Sequence, residues 1–294
     1  MADGKTATFG ILTSGGDCPG LNAAIRGVAK PAVNRYGMSV IGIANGFRGL
    51  IEGTTRPLPA EVFDGLLTQG GTILGTSREK PFSENLEERT KDSVAGRSKP
   101  ERIVENYEKL RLDSLVVLGG NGTHKTARLL ADQGLNVIGL PKTIDNDLWG
   151  TEVTFGFNSA VDIATEAIDR LHTTAHSHNR IMVIEVMGHK AGWLALQAGI
   201  AGGGDVVLIP EIPYDIERIG AHLRDRRARG KPFSIVVVAE GAVSKKEAAV
   251  TSRRDRDVPA AERSIGYRLA GEIEAVTAME TRVTVLGYQQ RGGT

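Results

Sequence analysis

Short apolar runs rich in β-branched residues alternate with longer amphipathic stretches, and this alternation strongly limits the folds open to the chain. Eight runs have the character of strands: Thr8–Leu12, Ser39–Ile43, Ser114–Leu118, Asn136–Leu140, Ile181–Glu185, Val206–Ile209, Phe233–Ala239 and Arg282–Leu286. Longer stretches between them have helical periodicity: Leu21–Tyr36, Lys125–Gln133, Ser159–Thr174, Ile216–Arg229 and Arg263–Met279. The pattern predicts the α/β class, with mainly parallel sheets covered by helices on both faces. A length of 294 residues favours two such domains.

Nearly every glycine-rich or charged cluster directly follows one of the predicted strands. These clusters are Ser14–Asn22, Gly119–Thr123, Pro141–Asp147, Met187–Gly192, Glu240–Gly241 and Gly287–Gly293. In parallel α/β sheets, ligands bind beyond the carboxyl ends of the strands. We therefore expect the functional residues in these clusters.

Composition excludes several classes of function. Lysine plus arginine (36) nearly balance aspartate plus glutamate (35), so no overall field attracts nucleic acid or an anionic membrane. No run approaches the roughly 18 apolar residues that a membrane helix requires. The single cysteine, Cys18, cannot form an intrachain disulfide. These features predict a cytoplasmic protein.

The cluster Ser14–Asn22 is typical of a phosphate-binding loop. Consecutive glycines after a strand allow a tight turn with exposed N–H groups, and the following helix N-terminus adds partial positive charge. The cluster lacks the Gly-Lys-Ser/Thr ending of a Walker A loop and the spacing of a dinucleotide fingerprint. A purely structural turn is the alternative interpretation.

Two further loops have matching chemistry. The turn Gly119–Thr123 again lies between a strand and a helix, so a triphosphate could bridge the two glycine-rich loops. The loop Pro141–Asp147 carries two carboxylates two residues apart, Asp145 and Asp147. One could accept a hydroxyl proton while the other orients a metal. An Asx-type turn is the structural alternative for Asp145.

The order and spacing of four motifs resemble the phosphofructokinase family over essentially the whole chain. The motifs are Ser14–Asn22, Pro141–Asp147, Met187-Gly188 and Gln290–Gly293. The resemblance implies phosphoryl transfer from ATP, with Mg²⁺, to the 1-hydroxyl of fructose 6-phosphate. It also implies a donor-binding domain over residues 1–156 and a sugar-phosphate domain over 157–289. Residues 290–294 would begin a return segment to the first domain, which we expect to be truncated.

The resemblance assigns roles to matching positions. Asp145 would be the general base, Asp147 would assist at the magnesium, and Thr143 would hydrogen-bond near the transferring phosphoryl group. The donor phosphates would be held by Gly15, Arg78, Gly120, Asn121, Gly122 and Thr123. The sugar would be held by Met187, Gly188, His189, Glu240, Tyr288 and Arg291. Arg180 and Arg282 would bind its 6-phosphate from a neighbouring subunit, which implies a homodimer or homotetramer with shared sites.

Three positions depart from the family pattern. Asn121, the candidate metal ligand, stands where an acidic residue is most common. His189 replaces an arginine that often stabilises the transferring phosphoryl group, and Lys190 beside it could supply that charge. Tyr288 replaces a frequent histidine at the sugar site, although its hydroxyl can still hydrogen-bond.

The family includes ATP-dependent and pyrophosphate-dependent members, and two residues bear on the choice. An aspartate at the position of Gly122 fills nucleotide space, so glycine favours ATP. Lys142 often accompanies pyrophosphate use, because its ammonium can pair with the donor. The sequence favours ATP, with a pyrophosphate-dependent enzyme and a regulatory paralog of reduced activity as alternatives. A dinucleotide-dependent dehydrogenase fits worst, since neither glycine-rich loop has the required spacing.

Overall fold

The computed structural model describes residues 6–82, 97–249 and 264–294. Contacts divide the chain into two units. The first unit comprises Met1–Thr143, Leu148–Gly156 and Gly292–Thr294, and the second comprises Ile144–Asp147 and Phe157–Arg291. Two short segments therefore differ from the sequence-based division: Ile144–Asp147, and the pair Gln290 and Arg291, both belong to the second unit.

Among its described residues, the first unit contains a sheet of five strands. The strands are β1 (Thr8–Thr13), β2 (Ser39–Ile43), β3 (Thr55–Pro57), β4 (Ser114–Gly119) and β5 (Val137–Pro141). Their order is β3-β2-β1-β4-β5, and every neighbouring pair is parallel except β2 with β3. The chain leaves β1 towards β2 and later returns to β4 on the other side of β1. Ligands bind at such a change of direction, beyond the carboxyl ends of β1 and β4.

The first-unit helices are α1 (Leu21–Tyr36), α2 (Phe47–Glu52), α3 (Lys99–Lys109) and α4 (Asn121–Asp132). α1 runs between glycines at both caps, and Gly37 ends it in the left-handed conformation. α3 begins with a capping box in which Ser98 and Glu101 satisfy each other's backbone N–H groups. Apolar side chains of α2, α3 and α4 pack against β1, β2 and β4 in one buried cluster.

Among the described residues of the second unit, four parallel strands form the sheet. These are β6 (Ile181–Val186), β7 (Val206–Leu208), β8 (Ser234–Ala239) and β9 (Thr281–Val285), in the order β7-β8-β6-β9. β6 lies between β8 and β9, so the chain changes direction at the carboxyl ends of these three strands. Every residue of β6 and β8 is buried, which fits a sheet covered on both faces.

The second-unit helices are α5 (Phe157–His178), α6 (Trp193–Ala201), α7 (Ile216–Ala228), α8 (Lys245–Ala248) and α9 (Ile265–Thr277). α5 and α6 pack on one face of the sheet, against alternate strand residues such as Ile184 and Val237. α7 and α9 pack on the opposite face, against Val183 and Val236. Alternate residues of each strand thus serve two separate cores.

The predicted α/β class is confirmed. The eight predicted strands all form, with ends shifted by at most one residue, and α1 has the predicted bounds. Several short elements were not predicted: β3, α2, α3, α6 and α8. In the described part of the chain, no helix combines the length and the apolar character needed to cross a bilayer.

Tyr214 ties α9 to the segment that precedes α7, and this contact predicts a loss of stability at alkaline pH. The Tyr214 hydroxyl donates to Glu272 Oε2 at 3.2 Å. Burial, followed by the negative charge of Glu272, raises the pKa of Tyr214 to about 12. A raised folded-state pKa stabilises the fold below the ordinary value of 10.0, and that stability is lost as pH rises towards 12.

We expect the urea midpoint of the wild type to fall more steeply between pH 10 and 12 than that of Tyr214→Phe. Tyr267→Phe is the matched control, because Tyr267 is 55% exposed. Equal slopes for the wild type and Tyr214→Phe would contradict the assignment.

Candidate active site

The glycine-rich loop after β1 is held at its start by backbone hydrogen bonds. The Ser14 N–H donates to Leu118 O of β4 at 2.9 Å, and the Gly15 N–H donates to Ser77 O at 2.9 Å. Gly15 has a φ of 89°, a backbone conformation that residues other than glycine rarely adopt. These bonds bring residues 76–78 beside the loop, and the exposed Arg78 follows directly.

The loop after β4 contacts the first loop through Thr123. The buried Thr123 hydroxyl donates to Ser14 O at 3.4 Å. Gly119 permits this approach, since a Cβ on it would lie 2.3 Å from the Thr123 side chain. A Cβ on Gly122 would meet nothing within 4 Å, so the start of α4 is open at this point. The two loops thus lie together at the sheet edge that the topology indicates.

Lys142 joins the same cluster from the end of β5. Its side chain is buried, and its ammonium donates to Gly16 O. Its backbone N–H donates to Gly119 O at 3.0 Å. The backbone of the neighbouring Thr143 is also fixed, because its carbonyl accepts from the Thr154 hydroxyl at 2.6 Å and its N–H donates to Phe155 O at 3.2 Å. The donor residues predicted from the sequence are therefore neighbours in the first unit.

Asp145 lies half-buried among charged groups of the second unit. Burial raises the pKa of its carboxyl, and the nearby negative charges of Asp147 and Glu240 raise it further. Arg291 and His189 act in the opposite direction on this pKa. A raised pKa brings a carboxylate closer to the proton affinity that a general base needs near neutral pH.

The loops after β6, β8 and β9 form a pocket at the carboxyl edge of the second sheet. Its volume is about 200 Å³, and it is lined by Glu185, Val186, Met187, Glu240, Val285, Gly287 and Tyr288. The Glu185 carboxylate already accepts from the Ser264 hydroxyl and the Gly266 N–H. The Glu240 carboxylate, Met187 and the Tyr288 phenol are the groups that suit a polyhydroxylated ligand with one apolar face. Predicted sugar-binding residues are thus brought together.

Backbone contacts fix the loop that carries His189. The His189 N–H donates to Glu240 Oε1 at 2.7 Å, and His189 adopts φ of 53°. Gly241 lies so close that an added Cβ would be 2.0 Å from His189 O. The His189 side chain is exposed beside the pocket residue Glu240. The loop geometry therefore depends on Glu240 and Gly241 together.

Arg291 and Gln290 lie on the 3₁₀ turn after β9. The Arg291 guanidinium stacks over the Tyr288 ring, 5.5 Å from its centroid. Its Nε is buried and, among the described residues, has no hydrogen-bond partner. A ligand oxygen would satisfy such a donor. The fully buried Gln290 accepts from the Met187 N–H at 3.2 Å and donates to Gly287 O at 3.1 Å.

Arg180 and Arg282 lie at the opposite edge of the second sheet. Both pair with Glu280: Arg180 Nε lies 2.8 Å from Glu280 Oε2, and Arg282 contacts Oε1. Arg180 precedes β6, whereas the pocket follows it, and six strand residues span roughly 20 Å. The structure brings these two arginines together but separates them from the pocket of their own unit.

Two residues of these loops were missed from the sequence. Thr76 donates to Gly15 O at 2.7 Å from a segment without strand or helix periodicity. Gln290 belongs to the motif Gln290–Gly293, and its side chain links the loops after β6 and β9, a role that the motif alone does not assign. No local pattern marks Thr76, whereas a glutamine beside a candidate ligand arginine is a usable signal.

The fold and these loops define an α/β phosphotransferase, and comparison with known proteins assigns its family. The sequence model described as Phosphofructokinase matches residues 8–294. The chain belongs to the phosphofructokinase family.

Named relatives and a solved structure agree with this assignment. The chain is 70% identical over 291 residues to "ATP-dependent 6-phosphofructokinase" of Spirochaeta thermophila, covering 98% of this chain and 79% of that protein. It is 56% identical to "ATP-dependent 6-phosphofructokinase 3" of Bacteroides thetaiotaomicron, covering 97% and 79% respectively. The phosphofructokinase structure from Saccharomyces cerevisiae superposes with a TM-score of 0.80 at 31% identity. It covers 98% of this chain, which spans 39% of the yeast chain.

Proposed function

We propose that this protein is an ATP-dependent 6-phosphofructokinase, which transfers the γ-phosphoryl group of ATP to the 1-hydroxyl of fructose 6-phosphate. The placement of Asp145, half-buried near the carboxylates of Asp147 and Glu240, is the observation that carries the proposal. A protein that only binds the sugar has no need of such a carboxylate. The identity of 70% to a protein named for this activity supports it. The reaction is a step of glycolysis, in the cytoplasm.

Asp145 acts as the general base in this proposal. As the 1-hydroxyl oxygen attacks the γ-phosphorus, its proton passes to the Asp145 carboxylate, and ADP leaves. The raised pKa of Asp145, caused first by burial, favours uptake of that proton. Glu240, Tyr288 and Arg291 hold the sugar at the pocket, and Met187 contacts its apolar face.

The donor phosphates bind the first unit. Gly15, Gly120 and Gly122 allow close approach to backbone N–H groups, and the N-termini of α1 and α4 add partial positive charge. The exposed Arg78 supplies a guanidinium beside the loop. Thr143 hydrogen-bonds near the transferring group, and Lys190, beside His189, supplies positive charge in the acceptor half.

The residues present suit a magnesium ion carried mainly by the nucleotide. In the described ranges, no group of three or more His, Cys, Asp or Glu side chains could hold a metal alone. Mg²⁺ typically binds one or two carboxylates and completes its shell with water and substrate phosphates. The close carboxylates Asp145 and Asp147 of the second unit provide such oxygens, with Asp147 as the ligand. The Asn121 amide oxygen of the first unit is a separate and weaker candidate. When bound, the ion would neutralise charge on the phosphates.

Arg180 and Arg282 bind the 6-phosphate of a neighbouring subunit's sugar in this proposal. Their position at the amino edge of the sheet, paired with Glu280, supports a role outside their own unit's pocket. The protein would then be a homodimer or homotetramer with shared sugar sites.

The experiment that tests the function is coupled turnover of fructose 6-phosphate with Mg²⁺ and either ATP or pyrophosphate. Turnover with ATP is the expected result. Turnover only with pyrophosphate would assign the donor to the alternative that Lys142 suggests. A folded protein that binds the sugar phosphate and turns over neither donor would be a regulatory paralog.

Gly122→Asp is expected to raise the KM for ATP by roughly 10- to 100-fold. Like charges at about 4 Å repel by about 1–4 kcal/mol, depending on solvent exposure. The variant should fold, since a Cβ at this position meets nothing within 4 Å. Gly122→Ala is the control and should keep nearly the wild-type KM. An unchanged KM in the aspartate variant would remove the argument that Gly122 favours ATP.

A further inference from the structure

Three consecutive carbonyls of the glycine-rich loop accept hydrogen bonds from side chains of three different segments. The carbonyls of Ser14, Gly15 and Gly16 accept, in that order, from Thr123 Oγ1 at 3.4 Å, Thr76 Oγ1 at 2.7 Å and the Lys142 ammonium. These donors come from α4, from the irregular segment before Arg78 and from the end of β5. Each peptide group of the turn is therefore fixed by its own donor.

The fixed carbonyls determine where the N–H groups point. In a trans peptide the C=O and the next N–H point in opposite directions. The Gly16 N–H therefore points away from Thr76, and the Asp17 N–H points away from Lys142. In the described part of the chain, neither N–H donates to a backbone carbonyl. Successive N–H groups aimed outward form a concavity suited to phosphate oxygens.

Lys142 is poorly placed to contact a donor molecule itself. Its side chain is only 4% exposed, and its ammonium lies 3.8 Å from the Cβ position of Gly15, beneath the turn. Thr123, at 6% exposed, is similarly enclosed. Both groups are almost fully shielded from solvent, so a triphosphate could touch them only if the turn moved.

We infer that Thr76, Thr123 and Lys142 are positioning residues that hold the Gly15–Gly16 turn with the Gly16 and Asp17 N–H groups towards the donor phosphates. Lys142 acts on the donor through this turn and not as a direct partner of its phosphates. The inference rests on the proposed function for the identity of the donor. The inference adds Thr76 to the residues that act on donor binding. It also assigns Thr123 and Lys142 an effect on the donor phosphates that is exerted through the turn.

The test compares Thr76→Val, Lys142→Met and the double variant, with kcat and the separate KM values for ATP and fructose 6-phosphate. Thr76→Val should raise the KM for ATP about 5-fold, and Lys142→Met about 10- to 100-fold, with the sugar KM unchanged. Thr76→Ser should restore the wild-type value, because it keeps the hydroxyl. Thr68→Val is the matched control, since Thr68 also donates to a carbonyl, that of Gly65 at 2.9 Å, on an exposed turn.

The double variant decides between an indirect and a direct role for Lys142. If both side chains act through one turn, the combined rise in KM will be clearly smaller than the product of the single effects. Effects that multiply, or an unchanged KM for ATP in Thr76→Val, would overturn the inference. If Lys142→Met does not fold, Thr76→Val and Thr76→Ser still test the turn. If the wild type has no ATP turnover, the proposed function fails, and binding of MgADP to the same variants tests the turn separately.

Discussion

Asp145→Asn is expected to lower kcat for fructose 6-phosphate phosphorylation by about 10²- to 10⁴-fold, the usual effect of losing a general base. The asparagine keeps the size and much of the hydrogen bonding of the side chain, but it cannot accept the proton of the 1-hydroxyl. The KM values should change much less than kcat, because proton transfer belongs to the transition state. Steady-state kinetics with MgATP measure this.

The same variant should not be less stable than the wild type. Burial and the charges of Asp147 and Glu240 disfavour the ionised Asp145 in the folded protein, so an uncharged residue removes an unfavourable interaction. A thermal midpoint equal to or above the wild-type value, together with the loss of kcat, would separate catalysis from folding. Asp132→Asn is the control, because Asp132 pairs with Arg128 on an exposed helix surface. Asp145→Asn with kcat within about threefold of wild type would exclude the base assignment.

Arg291→Met is the substitution with the second large expected effect, and it should weaken binding of the sugar phosphate. We expect the KM for fructose 6-phosphate to rise roughly 10- to 100-fold, because hydrogen bonds from a charged donor contribute about 1.5–3 kcal/mol. The substitution removes the buried Nε, which has no partner among the described residues, so the ligand oxygen would lose its hydrogen-bond donor. Methionine fills the same space over Tyr288 and preserves packing. The KM for ATP should stay close to the wild-type value.

Two further variants sharpen this experiment. Arg291→Lys keeps the charge without the planar fork and should be intermediate. Arg170→Met is the matched control, since Arg170 pairs with Glu166 on an exposed surface of α5. A normal sugar KM in Arg291→Met would exclude Arg291 as a sugar ligand.

Much of the fold was readable from the sequence because buried parallel strands are continuous apolar runs. β8 is the clearest case, since all of its residues are buried and its pattern is apolar from Ile235 to Ala239. The unpredicted elements are short or depend on caps. The polar segment Glu79–Lys99, which is mixed in charge, predicts a surface connection, but α3 begins at Lys99 behind a capping box formed by Ser98 and Glu101. The polar segment Val243–Pro259 likewise predicts a solvated loop. Residues 83–96 of the first segment and 250–259 of the second lie outside the described residues.

The site residues were predictable where they lie in loops directly after strands. Asp145, Glu240 and Arg291 all follow this rule, and their charges act on one another in the structure. The positions of other groups depend on contacts between distant segments. Thr76 approaches Gly15 across 61 positions of sequence, and no local pattern encodes that contact. The pairing of Arg180 and Arg282 with Glu280 likewise follows from the parallel register of β6 and β9.

Phosphorus NMR of the reaction mixture tests the central claim most directly, because it identifies both the donor consumed and the position phosphorylated. With wild-type protein, Mg²⁺, ATP and fructose 6-phosphate, we predict loss of the γ-phosphate signal and matching growth of ADP and of a 1-phosphate signal on the sugar. Asp145→Asn should show neither change over the same period. Loss of the γ-phosphate as inorganic phosphate, a signal at another sugar position, or reaction only when pyrophosphate replaces ATP would contradict the account.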